Sequence, residues 1–408
     1  MGNTKTIRES GVAFALRSLV CTFLAVVVLN AASHLDFRHP FIGYGFGGIL
    51  LLYWTAELSA KRRAMVVILG GLLSVWIASG GYEGLASLLA QVIGAFGLAS
   101  LFLLACVVFW NGRDREPSAY RALVPAIALM SLFLSAQSAL NLASSLHRET
   151  LDFYAFAFDG SLGFEPSFAL GRFVNARLWL LPFAKVSYEG IPLAIAALYA
   201  GFMRRRRQPI WEIIGAFVVS TVIGYILFSI FPVCGPSYAF GKNFPSQYVP
   251  YPALRHMALE KVSLPLSDPR NGVPSLHMTW ALLIWLNTRS LHRGARWAAG
   301  ALVLATAFDT LASGEHYLFD LVVALPFTLW MHACMALTVS IRDRRRWLPA
   351  LCGCGLFLVW LVIGRFGIHF LMISPVLPWL LIGASSTVTI VWAMKLPAMI
   401  PEMQGVDL

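Results

Sequence analysis

Residues 85–110, LASLLAQVIGAFGLASLFLLACVVFW, run without a single Asp, Glu, Lys or Arg. A helix needs about 20 mostly apolar residues to cross the hydrocarbon core of a bilayer, and this run exceeds that length. The same texture extends in both directions. Of the 408 residues, 58% are hydrophobic and 12% charged, too few charges to cover the surface of a soluble chain. The pattern predicts an all-α, polytopic membrane helix bundle. Twelve transmembrane helices are expected, at 11–33, 41–59, 64–80, 85–110, 121–146, 178–202, 209–232, 274–290, 295–313, 316–339, 348–370 and 374–396. The longest polar interval, 233–274, is too short for a separate soluble domain. Gly43, Gly45, Gly47 and Gly48 fall inside a span, where small residues let helices approach closely.

The net charge of +11 does not indicate nucleic-acid binding, because the basic residues form no single patch. They fall in short clusters between apolar runs, such as Lys61-Arg62-Arg63 and Arg344-Arg345-Arg346, as in loops that touch anionic lipid. Counting them places the N-terminus in the cytoplasm; the expected location is the bacterial inner (plasma) membrane, with the site facing the periplasm or exterior. Lys5, Arg8 and Arg17 precede an apolar run that reads as an uncleaved first helix. Six scattered cysteines imply no disulfide framework. Two long segments face outward. The first, 147–177, carries Asp152, Asp159 and Glu165 among aromatic residues and is expected to lie as an interfacial helix on the membrane surface. The second, 233–274, leads into the chemistry.

Asn271-Gly272-Val273-Pro274-Ser275-Leu276-His277 ends that loop and starts a helix. Pro suits a first helical turn, and the N–H groups of Ser275, Leu276 and His277 would then face outward with the positive end of the helix dipole, a ready phosphate site. His277 is placed to protonate a leaving oxygen; the plainer reading is a capped helix with an interfacial histidine. Further on, Gly314-Glu315-His316-Tyr317-Leu318-Phe319-Asp320 puts His316 and Asp320 four residues apart, on one helical face. A carboxylate on one ring nitrogen fixes the tautomer and makes the other a nucleophile toward phosphorus; a structural His–Asp hydrogen bond is the alternative. His277, His316 and Asp320 also have the composition of a zinc site, but a phosphate-binding helix end would be superfluous beside one. No metal or other cofactor is expected.

Pro274-Ser275-Leu276-His277 resembles the second motif of the type-2 phosphatidic acid phosphatase superfamily. His316-Tyr317-Leu318-Phe319-Asp320 is similar to the third motif of its inositol phosphorylceramide synthase-like branch. Phe231-Pro232-Val233-Cys234-Gly235-Pro236-Ser237-Tyr238 is similar to the Pro-rich segment after that branch's third core helix. The resemblance implies a six-helix catalytic core over 121–339, with extra transmembrane helices in 1–120 and two more in 340–408. It implies that His316 forms a phosphohistidine, Asp320 orients it and His277 protonates the leaving group. Ser275, Leu276, Gly314, Tyr317, Gly235 and Pro236 would line the substrate site.

The chain departs from the superfamily's pattern at three cationic positions, where Gly224, Phe231 and Thr310 stand instead. Lys242 and Arg270 in the outer loop are candidate substitutes. A phosphomonoester carries nearly two charges and a phosphodiester one, so a cation-poor pocket suits a diester head group. The expected activity is therefore a membrane lipid phosphotransferase moving a phospho-head group between lipids at the extracytoplasmic face. A lipid phosphate phosphatase acting on a phosphomonoester or pyrophosphate is one alternative. A non-catalytic membrane transporter is another; intramembrane charges at Lys185, Glu189 and Asp309 fit it, but no internal repeat is evident. Lys185 and Glu189, four apart, read as an intramembrane ion pair or a head-group contact. The partners expected are membrane lipid substrates, with no nucleic acid. His34, His256 and His369 stand alone in outer regions.

Overall fold

The computed structural model describes residues 40–79, 81, 84–204, 210–246, 249, 253 and 259–396. The expected helix at 11–33, His34 and His256 lie outside the described residues. The chain is mostly helical: α1 (Pro40–Thr55), α2 (Ala60–Ala78), α3 (Leu85–Asn111), α4 (Pro117–Leu146), α5 (Asp152–Ser161), α6 (Pro166–Asn175), α7 (Leu181–Glu189), α8 (Ile191–Arg204), α9 (Ile210–Phe228), α10 (Leu276–Asn287), α11 (Arg293–Ala312), α12 (Leu318–Cys334), α13 (Arg344–Val362) and α14 (Val376–Lys395). A two-residue antiparallel ladder pairs Glu149 with Ser263 and Thr150 with Val262.

Five helical stretches are long and apolar enough to cross a membrane: Ser87–Asn111, Pro117–Leu146, Trp211–Phe228, Arg344–Leu371 and Val376–Lys395. They mark an integral membrane protein. The expected twelve spans are not reached among the described residues. The expected helix at 178–202 is broken at Gly190 into α7 and α8, and counts as a sixth span only if the bent pair is taken as one. α10 has 12 residues, a length of about 18 Å. That is short of the roughly 30 Å hydrocarbon core.

The chain divides into two compact units, residues 1–137 with 189–218, and residues 138–188 with 219–408. In the first unit α3 packs along α1 and α2, and α1 packs on α8. The contact works through small residues as expected. A methyl group at Gly43 would meet Ala90 Cβ at 3.0 Å, and one at Gly48 would meet Ala196 Cβ at 2.9 Å.

In the second unit α12 is the central helix, contacted by α5, α10, α13 and α14, while α11 packs on α10 and α6. The segment 147–177 corrects the expectation of one helix lying on a membrane surface. It folds as α5 and α6, and Asp152, Ala155, Phe156, Ala157, Phe158, Asp159, Gly160 and Ser161 of α5 are all buried. Phe158 packs edge-on against Phe319 of α12 and Trp360 of α13, with centroids at 5.0 and 5.7 Å. Phe156 packs against Phe168 and Phe240. An apolar face of this kind suits lipid and protein interior equally. Here the acidic residues find backbone amides inside the protein, which decides for the interior.

Candidate functional site

All the motif residues lie in the second unit. Ser275 is the N-cap of α10, and its Oγ accepts from the Met278 amide at 3.4 Å. Pro274 therefore stands one residue before the cap rather than in the first turn. The three outward N–H groups expected at this terminus are reduced. The Ser275 amide donates inward to the Asp320 carbonyl at 3.4 Å. Leu276 is buried, and its side chain fills the space beside Gly224, where an added methyl would lie 2.6 Å from Leu276 Cδ2.

His316 and Asp320 meet, but not on a helical face. α12 begins at Leu318, so His316 and Tyr317 precede it. The contact arises from helix capping: Asp320 Oδ2 turns back to accept from the Tyr317 amide at 3.1 Å and lies 3.0 Å from His316 Nδ1. With Nδ1–H donating to this carboxyl, Nε2 carries the ring's lone pair. Nε2 lies 3.1 Å from Ser275 Oγ, which joins the α12 motif to the α10 terminus. His316, Tyr317, Asp320 and Ser275 are each at most 1% exposed. His277 is half-buried and stacks on Tyr188 with centroids 3.7 Å apart.

The Pro-rich segment closes over the third motif. Ser237 donates to the Gly314 carbonyl from both its amide and its hydroxyl, each at 2.9 Å. Tyr238 donates its hydroxyl to the Glu315 carboxyl, 3.3 and 3.2 Å from its two oxygens. Gly235 has φ +123°, and a Cβ there would meet the Glu315 carbonyl carbon at 2.8 Å, so only glycine allows this approach. Pro236, beside it, is buried.

Of the two candidate cations, Arg270 is corrected. It is fully buried, and its five N–H donors face the carbonyls of His147, Arg148, Leu264, Pro265 and Asp268 at 2.6 to 3.3 Å. No donor is left for a phosphate, because the guanidinium holds together the loop that carries it. Lys242 is exposed in the turn Gly241–Asn243. The three departures at cationic positions also have local reasons. Gly224 makes room for Leu276, Phe231 packs on Phe319 at 5.6 Å, and Thr310 is buried with its carbonyl receiving the His316 amide at 3.1 Å.

The structure adds residues that the sequence reading did not place at the site. Asp152 accepts from the amides of Cys234 and Gly235, at 3.1 and 2.9 Å. Asp159 accepts from those of Leu318 and Phe319, at 2.9 and 3.1 Å. Ser167 donates to the His316 carbonyl at 2.9 Å. The signal available beforehand was acidic residues interleaved with phenylalanines, which are costly on an apolar face without partners. Burial raises Asp152 to about 6, against the pull of the two amides, and raises Glu165 to about 7. It also raises Glu315, whose neighbour His316 and hydrogen bond from Tyr238 act in the opposite direction. Among the described residues no three His, Cys, Asp or Glu side chains are grouped to hold a metal ion.

Residues 155–334, which take in both histidine motifs, match the model of the PAP2 superfamily. No curated protein and no solved structure matches the chain.

Proposed function

We propose that the protein is a histidine-dependent lipid phosphotransferase, which moves a phospho-head group from one membrane lipid to an acceptor through a phosphohistidine on His316. The observation that carries this reading is the buried His316–Asp320 pair, with Nε2 of His316 directed at Ser275, the N-cap of α10. In the first step Nε2 attacks phosphorus and the bond to the leaving oxygen breaks, while Asp320 stabilises the positive charge that develops on the ring. His277 gives that oxygen its proton. In the second step His277 takes the proton of an acceptor hydroxyl, whose oxygen displaces Nε2 from phosphorus. Ser275 Oγ must give up its contact with Nε2 when the phosphate arrives; Ser275, Leu276, Gly314, Tyr317, Gly235 and Pro236 line this reading of the site.

The choice of a phosphodiester over a phosphomonoester rests on charge. The superfamily's usual cationic positions hold Gly224, Phe231 and Thr310, and the guanidinium of Arg270 is taken by carbonyls. Asp152 and Asp320 are buried around the same motif. A dianionic monoester would meet these carboxyls with little to balance it, whereas a diester brings one charge fewer. The inositol phosphorylceramide synthase-like third motif supports the same choice. The distribution of Lys and Arg supports a site on the extracytoplasmic face; in this reading the membrane is the bacterial inner membrane and 121–339 is the catalytic core between N- and C-terminal membrane helices.

The test is to offer purified protein a labelled phosphatidate and a labelled glycerophosphodiester lipid. Transfer from the diester, lost in His316→Ala, is expected. With a diester bearing an activated leaving group, His277→Ala should still form the phosphohistidine but discharge it slowly, so the adduct accumulates on His316. Phosphate release from the monoester alone would replace this reading with the phosphatase one. Equal activity of the wild type and the double variant would end the catalytic reading altogether.

A further inference from the structure

The phosphotransfer reading gives no task to Asp159. This residue, 1% exposed, receives the amide of Leu318 on Oδ2 and that of Phe319 on Oδ1. These are the first two residues of α12, and amides at that position have no partner within their own helix. The side chain of the N-cap residue Tyr317 makes no capping bond, and Asp320 is already turned back onto the Tyr317 amide and His316. The missing cap comes from α5 instead, 159 residues away in sequence. From the start of α6, Ser167 holds the His316 carbonyl at 2.9 Å. The stretch from His316 to Phe319 is thus held at three backbone points by two helices that lie outside both histidine motifs.

We infer that Asp159 is a positioning residue for phosphoryl transfer: by capping the first turn of α12 it keeps Asp320 against His316 Nδ1 and aims Nε2 at the start of α10. This rests on the phosphotransfer reading. The physical reason lies in the lever involved. His316 and Asp320 sit on opposite sides of the helix start, so fraying of that first turn separates the pair. A misplacement of about 1 Å at a reacting group slows the chemical step on the order of a hundredfold. The expected loss falls on kcat rather than KM, because this turn positions the reacting groups.

The test uses the full-length protein with Asp159→Asn. The replacement keeps the shape, but one of its two terminal atoms is a donor and faces an amide that also donates. We expect kcat for a labelled glycerophosphodiester lipid to fall about 10- to 100-fold, with KM within about twofold. Backbone amide exchange followed by mass spectrometry should accelerate in peptides covering 316–320 and not in those covering α10. Ser167→Ala should act in the same direction and more weakly. If Asp159→Asn does not fold, Ser167→Ala carries the test, and an unchanged kcat in it overturns the inference. So does a kcat loss accompanied by faster exchange throughout the second unit, which would mean general stability only. Wild-type protein that turns over neither lipid sinks the phosphotransfer reading, whereas an active wild type matched by Asp159→Asn sinks this inference alone.

Discussion

Replacing Asp320 with Asn separates the charge of the dyad from its geometry. Asp320 Oδ2 accepts both from the Tyr317 amide and, at 3.0 Å, from His316 Nδ1, while Oδ1 is buried with no hydrogen-bond partner among the described residues. An Asn carbonyl oxygen in the place of Oδ2 keeps both contacts, and its amide group falls where Oδ1 had no partner to lose. What disappears is the negative charge facing the imidazole, which in the proposed reaction becomes cationic during attack on phosphorus. With the two charges spread over ring and carboxylate, their mean separation is roughly 4 Å, and an effective dielectric near 20 gives about 4 kcal/mol. That corresponds to about a thousandfold in rate. The assay is a single-turnover measurement of phosphohistidine formation with a labelled phosphodiester lipid, at enzyme in excess. The lipid's KM should change little, because the lost charge acts on the transition state. A formation rate within about threefold of wild type would refute the role given to Asp320 and leave the pair as a structural hydrogen bond.

Gly235→Ala should destabilise the protein by about 2 kcal/mol or more, since it combines a positive φ with a collision against the Glu315 carbonyl group; unchanged thermal unfolding in detergent would contradict the close approach. Arg270→Lys should cost about 3 kcal/mol or more of stability, because an ammonium cannot reach five carbonyls at once. A folded variant with a normal unfolding temperature and selectively weakened lipid binding would return Arg270 to the substrate site. Asp152 and Glu165 should each contribute stability that falls as pH rises. With Asp152 raised to about 6 and Glu165 to about 7, the native state keeps protons that the unfolded chain releases near pH 4. The stability is therefore greatest below that point and is lost as pH climbs through about 6 to 7, on the order of 3 kcal/mol for Asp152 alone. Thermal unfolding of the wild type and of Asp152→Asn at pH 5 and pH 8 isolates the contribution: the change in midpoint from pH 5 to pH 8 should be shifted upward in the variant, and an unchanged or downward-shifted difference would be the wrong sign.

The match of residues 155–334 to the PAP2 superfamily model starts in α5, ahead of either histidine motif. That start agrees with the packing, because α5 and α6 provide the backbone contacts that hold the third motif. The first unit shares no residue with the dyad.

The apolar run at 85–110 was enough to establish a helical membrane protein, because crossing a bilayer imposes a length and a composition that can be read locally. That His316 and Asp320 could meet was legible for a similar reason, since partners four residues apart lie within reach of each other; that they meet through capping ahead of α12, and that Ser275 rather than Pro274 sets the start of α10, was not. The sequence could not say where the 147–177 segment would go. Its aromatic residues would bury as well in lipid as in protein, and only the amides of Cys234, Gly235, Leu318 and Phe319, distant in sequence, made the interior favourable for Asp152 and Asp159. Arg270 was misread for the same cause. A guanidinium in a polar loop looks available for phosphate until the loop closes and five carbonyls surround it. Local periodicity and short spacing are properties of the chain alone. The partner of a buried charge is decided by tertiary contacts, because desolvation makes an unpaired group too costly and the groups that can pair with it are brought close only by folding.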